Sequence, residues 1–184
     1  LRMNVKALAF MQNGDDLEGA RTLGSALLEL NRQFGQQWDA SASRKLRTSE
    51  SRLEFFDVAL NKASSLLKVS DSSINPVSPY FDRGFVPAIP MSGYCGCPPQ
   101  LTTSGFGQLS VALLFNAGLA FHRISQQADT CAQYSYTALQ LYGRALVAIG
   151  KLEASGHLSN GSSLWLIALA SCLNVAVLQA GHLR

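Results

Sequence analysis

The stretch LFNAGLAFH, Leu114 to His122, and the stretch ALQLYGRAL, Ala138 to Leu146, decide how this chain folds. On a helix, residues three and four apart share a face, and here that face alternates small and bulky side chains. Gly118 has Phe121 three residues on. Ala138 is followed by Tyr142 four later and Ala145 three after that. Small residues let two backbones approach, and rings fill the space beside them. The spacing predicts two antiparallel helices in close contact, with Gly118, Ala138 and Ala145 admitting the neighbour and Phe121 and Tyr142 filling the seam.

Helical periodicity extends to both sides of this pair. It defines a hairpin over 109–150 and, after the turn residues Ser155, Gly156, Ser159, Asn160 and Gly161, a last helix over 164–181. At the other end, Leu1 to Gln12 reads as a helix that stops at Asn13-Gly14, a helix-ending turn signal. Asp15 and Asp16 open a second helix, where acidic side chains suit the positive end of the dipole. Its apolar face runs Leu17, Ala20, Leu23, Leu27 and Leu30, which completes a first hairpin over 1–33. Phe34 to Thr48 is polar and basic and reads as a linker, and Ser49 caps an extra helix over 49–68. The period is lost over 69–107. All 6 prolines fall there with several glycines, so this is a long extended connector. Its apolar part, Tyr80 to Tyr94, needs somewhere to bury its rings, and we expect it to lie across a groove on the helices. Apart from the connector the chain reads as one all-α domain of 184 residues.

Charge is unevenly spread. Of 27 charged side chains, 21 precede residue 84, and Gly84 to His122 holds none. An ordinary soluble domain is about 25% charged, so the second half is either deeply buried or covered by a partner. The net charge of +3 comes from scattered residues, with Arg44, Lys45 and Arg47 the one cluster. That is no basic stripe, and nucleic-acid binding is not expected. Leu164 to Gly181 is uncharged for about the shortest length that spans a bilayer. Ser171, Asn174 and Gln179 make it a packed helix instead, and membrane contact is expected only indirectly, through a complex. The chain opens on Leu1 and ends at Arg184, and we expect a processed or partly ordered piece of a longer chain.

The hairpins repeat one pattern. Ala7, Phe10, Gly19, Leu23 and Ala26 in the first stand in the order of Gly118, Phe121, Ala138, Tyr142 and Ala145 in the second. Compared as NVKALAFMQNGDDLEGARTLGSAL and FNAGLAFH…ALQLYGRAL, the two copies resemble the tetratricopeptide-repeat family. The pattern is close to that of uncharacterised tetratricopeptide-like proteins of diatoms. A third, incomplete copy begins at LNVAVLQAGH, Leu173 to His182. The copies depart from the family in the extra residues Gln126 to Gln133, in Lys6 at an apolar position and in lacking the closing proline. The resemblance implies hairpins stacked as a short right-handed solenoid. On function the resemblance is almost silent; with the charge-poor second half, we expect a non-enzymatic protein–protein interaction scaffold or subunit of a larger, stable assembly, soluble or peripheral and intracellular or organellar.

Asn4, Asn116 and Asn174 each follow a large apolar residue at a similar place on the first helix of a copy. In the family, an asparagine here can face the concave groove and hydrogen-bond the backbone of an extended partner peptide. An amide suits that task because it donates and accepts at once. The alternative is a bond to a neighbouring helix inside the bundle. The family's carboxylate-clamp variant needs a basic residue where Ala112 stands, so no such clamp is inferred. No catalytic residue, cofactor or metal site is expected: His122, His157 and His182 are dispersed, and no HExxH, GxSxG, P-loop or dinucleotide pattern is present. Cys131 and Cys172 read as small buried apolar residues. Cys95 and Cys97, in GYCGCPPQ, have one residue between them and no second pair, which is the wrong spacing for zinc. A disulfide from either to Cys131 or Cys172 stays open, as does a redox- or metal-responsive role for the pair.

Overall fold

The first turn shows how local chemistry sets the architecture. Helix α1 (Arg2–Gln12) ends at Asn13, and Gly14 takes φ 82°. Its N–H donates to Met11 O at 3.2 Å, and the Asp15 N–H donates to Phe10 O at 2.9 Å. These are the two bonds that close a helix when the next residue is left-handed, a conformation glycine adopts without strain. Asp15 Oδ1 then accepts from the Glu18 N–H at 3.2 Å and caps α2 (Asp16–Ala42), which folds back on α1.

The computed structural model describes residues 1–42, 79–87, 91–92, 100–127, 131–154, 156 and 164–182. Among these the chain is all-α, continuing with α3 (Thr103–Gln127), α4 (Cys131–Ala154) and α5 (Leu164–His182). One minimal antiparallel ladder pairs β1 (Met91–Ser92) with β2 (Gln100–Leu101), Met91 opposite Leu101. The expected helix over 49–68 and both Cys95 and Cys97 lie outside the described residues.

Consecutive helices touch, and so do α1 with α3 and α3 with α5. Helix α3 therefore meets all four others, and Leu109 to Ala120 is buried without a break. A helix surrounded in this way must be apolar on every side, which accounts for the charge-free run through His122. Among the described residues, Ser104–Gln127 is the one helix long and apolar enough to cross a membrane, and 72% of its apolar window is buried in this fold. Leu164–Ala180 is shorter. On α5 the outward side chains Trp165, Leu166 and Leu169 leave an apolar strip exposed.

The seam between α3 and α4 is tight. A Cβ on Gly118 would sit 2.9 Å from Tyr142 Cε1 and 3.4 Å from Leu141 Cβ. Ala138, Tyr142 and Ala145 are fully buried, and Phe121 stacks on Tyr134 with centroids 6.1 Å apart. Between α1 and α2, a Cβ on Gly19 would sit 2.6 Å from Met11 Cγ and 3.2 Å from Ala7 O, with Ala7, Leu23 and Ala26 in the core. Phe10 is only half-buried, and Lys6 Nζ lies 5.4 Å from its ring centroid. That cation–π contact explains a lysine where the pattern wants an apolar residue.

Element boundaries differ from the sequence reading in four places. Helix α2 continues to Ala42, so the linker expected from Phe34 is helical for its first nine residues. Helix α3 starts at Thr103, because Thr102 Oγ1 accepts from the Gly105 N–H at 2.9 Å and caps it. Gly105 and Gly107 thus belong to its first turns and not to the connector. Gly107 packs closely there, since a Cβ would press on the Leu152 side chain and make it shift. Most of Gln126 to Gln133 is helical too, because α3 runs to Gln127 and α4 begins at Cys131. Helix α4 then passes through Gly150 to Ala154. Cys172, expected to be buried, is a free and exposed thiol.

A polar clasp ties the first turn to the hub helix. Arg123 donates from Nη1 to Met11 O at 2.9 Å and pairs with Asp16 Oδ1 at 3.2 Å. Gln127 Nε2 donates to Asp16 Oδ2 at 3.3 Å. The Asp16 side chain is only 4% exposed. Burial raises its carboxyl above the ordinary carboxylate value, and Arg123 and Gln127 pull it back only in part.

Candidate functional site

Helices α1, α3 and α5 each carry one asparagine on the same side of the bundle. Asn4 is 1% exposed, and Asn116 and Asn174 are fully buried. A buried amide is costly unless its donors and acceptor are engaged, and all three are engaged by the chain's own residues 79–87, here called the strap.

The contacts are to main chain. Asn116 Oδ1 accepts from the Phe85 N–H at 2.8 Å, and Asn116 Nδ2 donates to Phe85 O at 2.8 Å. Asn174 treats Phe81 the same way, accepting from its N–H at 2.8 Å and donating to its carbonyl at 3.0 Å. Each amide thus offers one residue the acceptor and donor that a neighbouring β-strand would offer. Asn4 Nδ2 adds a second donor to Phe85 O at 2.9 Å, and Asn116 Nδ2 donates to Asn4 Oδ1 at 2.8 Å. The two anchored residues are four apart, a span of at most about 13–14 Å of extended chain. That is enough to step between neighbouring helices, whose axes lie about 8–10 Å apart. Asn4 and Asn116 hold Phe85, and Asn174 alone holds Phe81.

Aromatic packing supplies the apolar half of the site. The Phe81 and Phe85 rings stack 5.3 Å apart, and both meet Phe115 edge-on, at 6.2 and 5.1 Å. Phe115 in turn lies 5.4 Å from Tyr142. Tyr80, Asp82, Arg83 and Val86 point outward, Tyr80 at 71% exposure. Gly84 passes so close to the helices that a Cβ would overlap Leu8 Cδ2 and sit 3.2 Å from Asn116 Oδ1.

Behind the strap the polar network continues inward. Asn174 Nδ2 donates to Tyr142 Oη at 3.0 Å, and Tyr142 Oη lies 3.5 Å from Nδ1 of the fully buried His122. Burial pushes the Tyr142 hydroxyl above the ordinary phenol range, so it stays protonated. One turn before Asn174, Ser171 Oγ is buried without a hydrogen-bond partner among the described residues. Beside the strap a cavity of about 460 Å³ is lined by Leu8, Met11, Gln12, Asp82, Arg83, Gly84 and Arg123. Among the described residues no cluster of His, Cys, Asp and Glu could hold a metal ion.

The three asparagines singled out from sequence are therefore brought together, while His122 lies beside Tyr142 behind them and Ala112 lies buried in α3. Phe81 and Phe85 belong to the apolar segment expected to lie across the helices, but the amide bonds to their main chain and the close approach of Gly84 were not foreseen. The available signal was their spacing, two phenylalanines four apart with a glycine beside the second. The dual role of Tyr142, seam filler and hydrogen-bond acceptor, left no signal beyond its hydroxyl.

No protein-family model matches this chain, and neither a curated protein nor a solved structure matches it.

Proposed function

We propose that this protein is a non-enzymatic, tetratricopeptide-like scaffold that holds a segment of another protein across the α1–α3–α5 face, as a subunit of a stable assembly. In this reading α1, α3 and α5 are the first helices of successive repeats in a short right-handed solenoid. Contacts of α1 with α3 and of α3 with α5 are those such a stack needs. One observation carries the reading: Asn4, Asn116 and Asn174 bind the main chain of a non-helical segment. Amides that read only main chain serve a foreign segment as well as an internal one, while pockets for alternate side chains add selectivity. The exposed apolar strip of α5 supports further contact within an assembly.

Affinity purification from the native source, with wild type and with a folded Asn4→Ala/Asn174→Ala chain, tests the proposal. A partner should be retained by the wild type and lost from the variant. Equal retention by both would move the binding surface elsewhere.

A further inference from the structure

We infer that residues 79–87 are an internal pseudo-ligand, and that the groove exchanges them for a partner segment carrying the pattern Phe-x-x-Gly-Phe. The inference rests on the scaffold reading and adds what regulates the site and what enters it.

The strap is held in a way that permits exchange. Among the described residues no backbone–backbone hydrogen bond ties it to a helix. Its polar anchors are the amides of Asn4, Asn116 and Asn174, and its apolar anchors are two phenylalanine rings. Any chain has the N–H and C=O groups that these amides bind. The groove floor is also suited to standing open. Three amides and the Tyr142 hydroxyl can take water when the strap leaves, whereas a wholly apolar floor would be left uncovered.

The strap also shows what an entering segment must resemble. Positions 80, 82, 83 and 86 are exposed. Positions 81 and 85 put rings against Phe115, and position 84 has no room for a Cβ. Leu8 can rotate away from an added methyl, but Asn116 Oδ1 is pinned by the Phe85 N–H. A tethered strap competes at an effective concentration on the order of millimolar, so weak or unmatched segments are excluded and a tighter match displaces it.

The test uses the full chain and a fluorescently labelled peptide PYFDRGFVP, read by polarisation. Phe81→Ala/Phe85→Ala loosens the strap without touching the groove, and Gly84→Ala loosens it less. The peptide should bind the double variant about tenfold or more tightly than wild type, because the competent fraction rises. Gly84→Ala should be intermediate. A scrambled peptide, or one with alanine for the glycine, should lose about tenfold. Equal binding to wild type and both variants, equal binding of the scrambled peptide, or loss of helical structure in both variants overturns the inference. So does a wild-type dimer dissociated by the peptide, which would assign the groove to the strap of a second copy. If the double variant binds other segments through Asn116 but not this peptide, the exchange motif falls and the scaffold reading stands. If instead the peptide binds as expected and a native partner ignores the asparagine substitutions, the scaffold reading falls.

Discussion

Asn116 has no donor to spare. Both protons of Nδ2 and the Oδ1 acceptor are committed, to Phe85 and to Asn4. Truncation strands the Phe85 N–H and Asn4 Oδ1 in a buried place, and Asn116→Ala should lower unfolding free energy by about 3 kcal/mol in urea titration. An exposed asparagine would cost almost nothing, so a change under about 0.5 kcal/mol would contradict the geometry. Asp16 makes a prediction of a different kind. Its carboxyl is raised on folding, so the folded state holds that proton more tightly than the unfolded state. The resulting stability is complete below the ordinary carboxylate value and declines as pH rises through the raised one. The difference in melting temperature between wild type and Asp16→Asn should therefore shift in favour of wild type as pH falls from about 7 to about 4. A gap that stays constant, or drifts the other way, would refute the assignment. Arg123→Ala leaves that carboxylate without its cation. It should cost about 2 kcal/mol at neutral pH, discounted because Arg123 is 28% exposed.

At the scale of elements, helix seams depend on missing methyl groups. Gly118→Ala places a Cβ 2.9 Å from a Tyr142 ring held between Phe115 and His122. The ring cannot yield without moving α4, and chemical denaturation should show a loss of about 2 kcal/mol. Gly24→Ala, where a Cβ meets nothing, should match or exceed wild-type stability. The α3–α4 seam was legible in sequence because small and bulky residues recur on one helical face, and that is a local pattern. Helix ends were less legible. The start of α3 depends on the Thr102 cap and on two glycines that look like loop, and the last turns of α2 are too polar to carry an apolar period. The asparagines could be picked out by their register, but their partners could not. An amide that binds main chain puts no demand on the side chain it holds, so Phe81 and Phe85 carry no trace of that bond in their identity.

For the molecule as a whole, α3 is the hub among the described residues and the strap lies outside it. Native-state hydrogen exchange should rank them accordingly. Amides of α3 should open only with global unfolding. Those of Phe81 and Phe85 should be protected to a lower free energy, and those of Asp82 and Arg83 hardly at all. Equal protection of strap and hub would make the strap an inseparable part of the core. The order of the chain adds a consequence for biosynthesis. Phe81 leaves the ribosome 93 residues before Asn174, the amide that fixes it. At about 5–20 residues per second, the Phe81 ring waits roughly 5–20 s for its amide, whereas Phe85 needs only Asn116, 31 residues further on. During that interval Phe81 is free apolar surface on a nascent chain, open to capture by chaperones, and only translation of the last described helix completes its anchor.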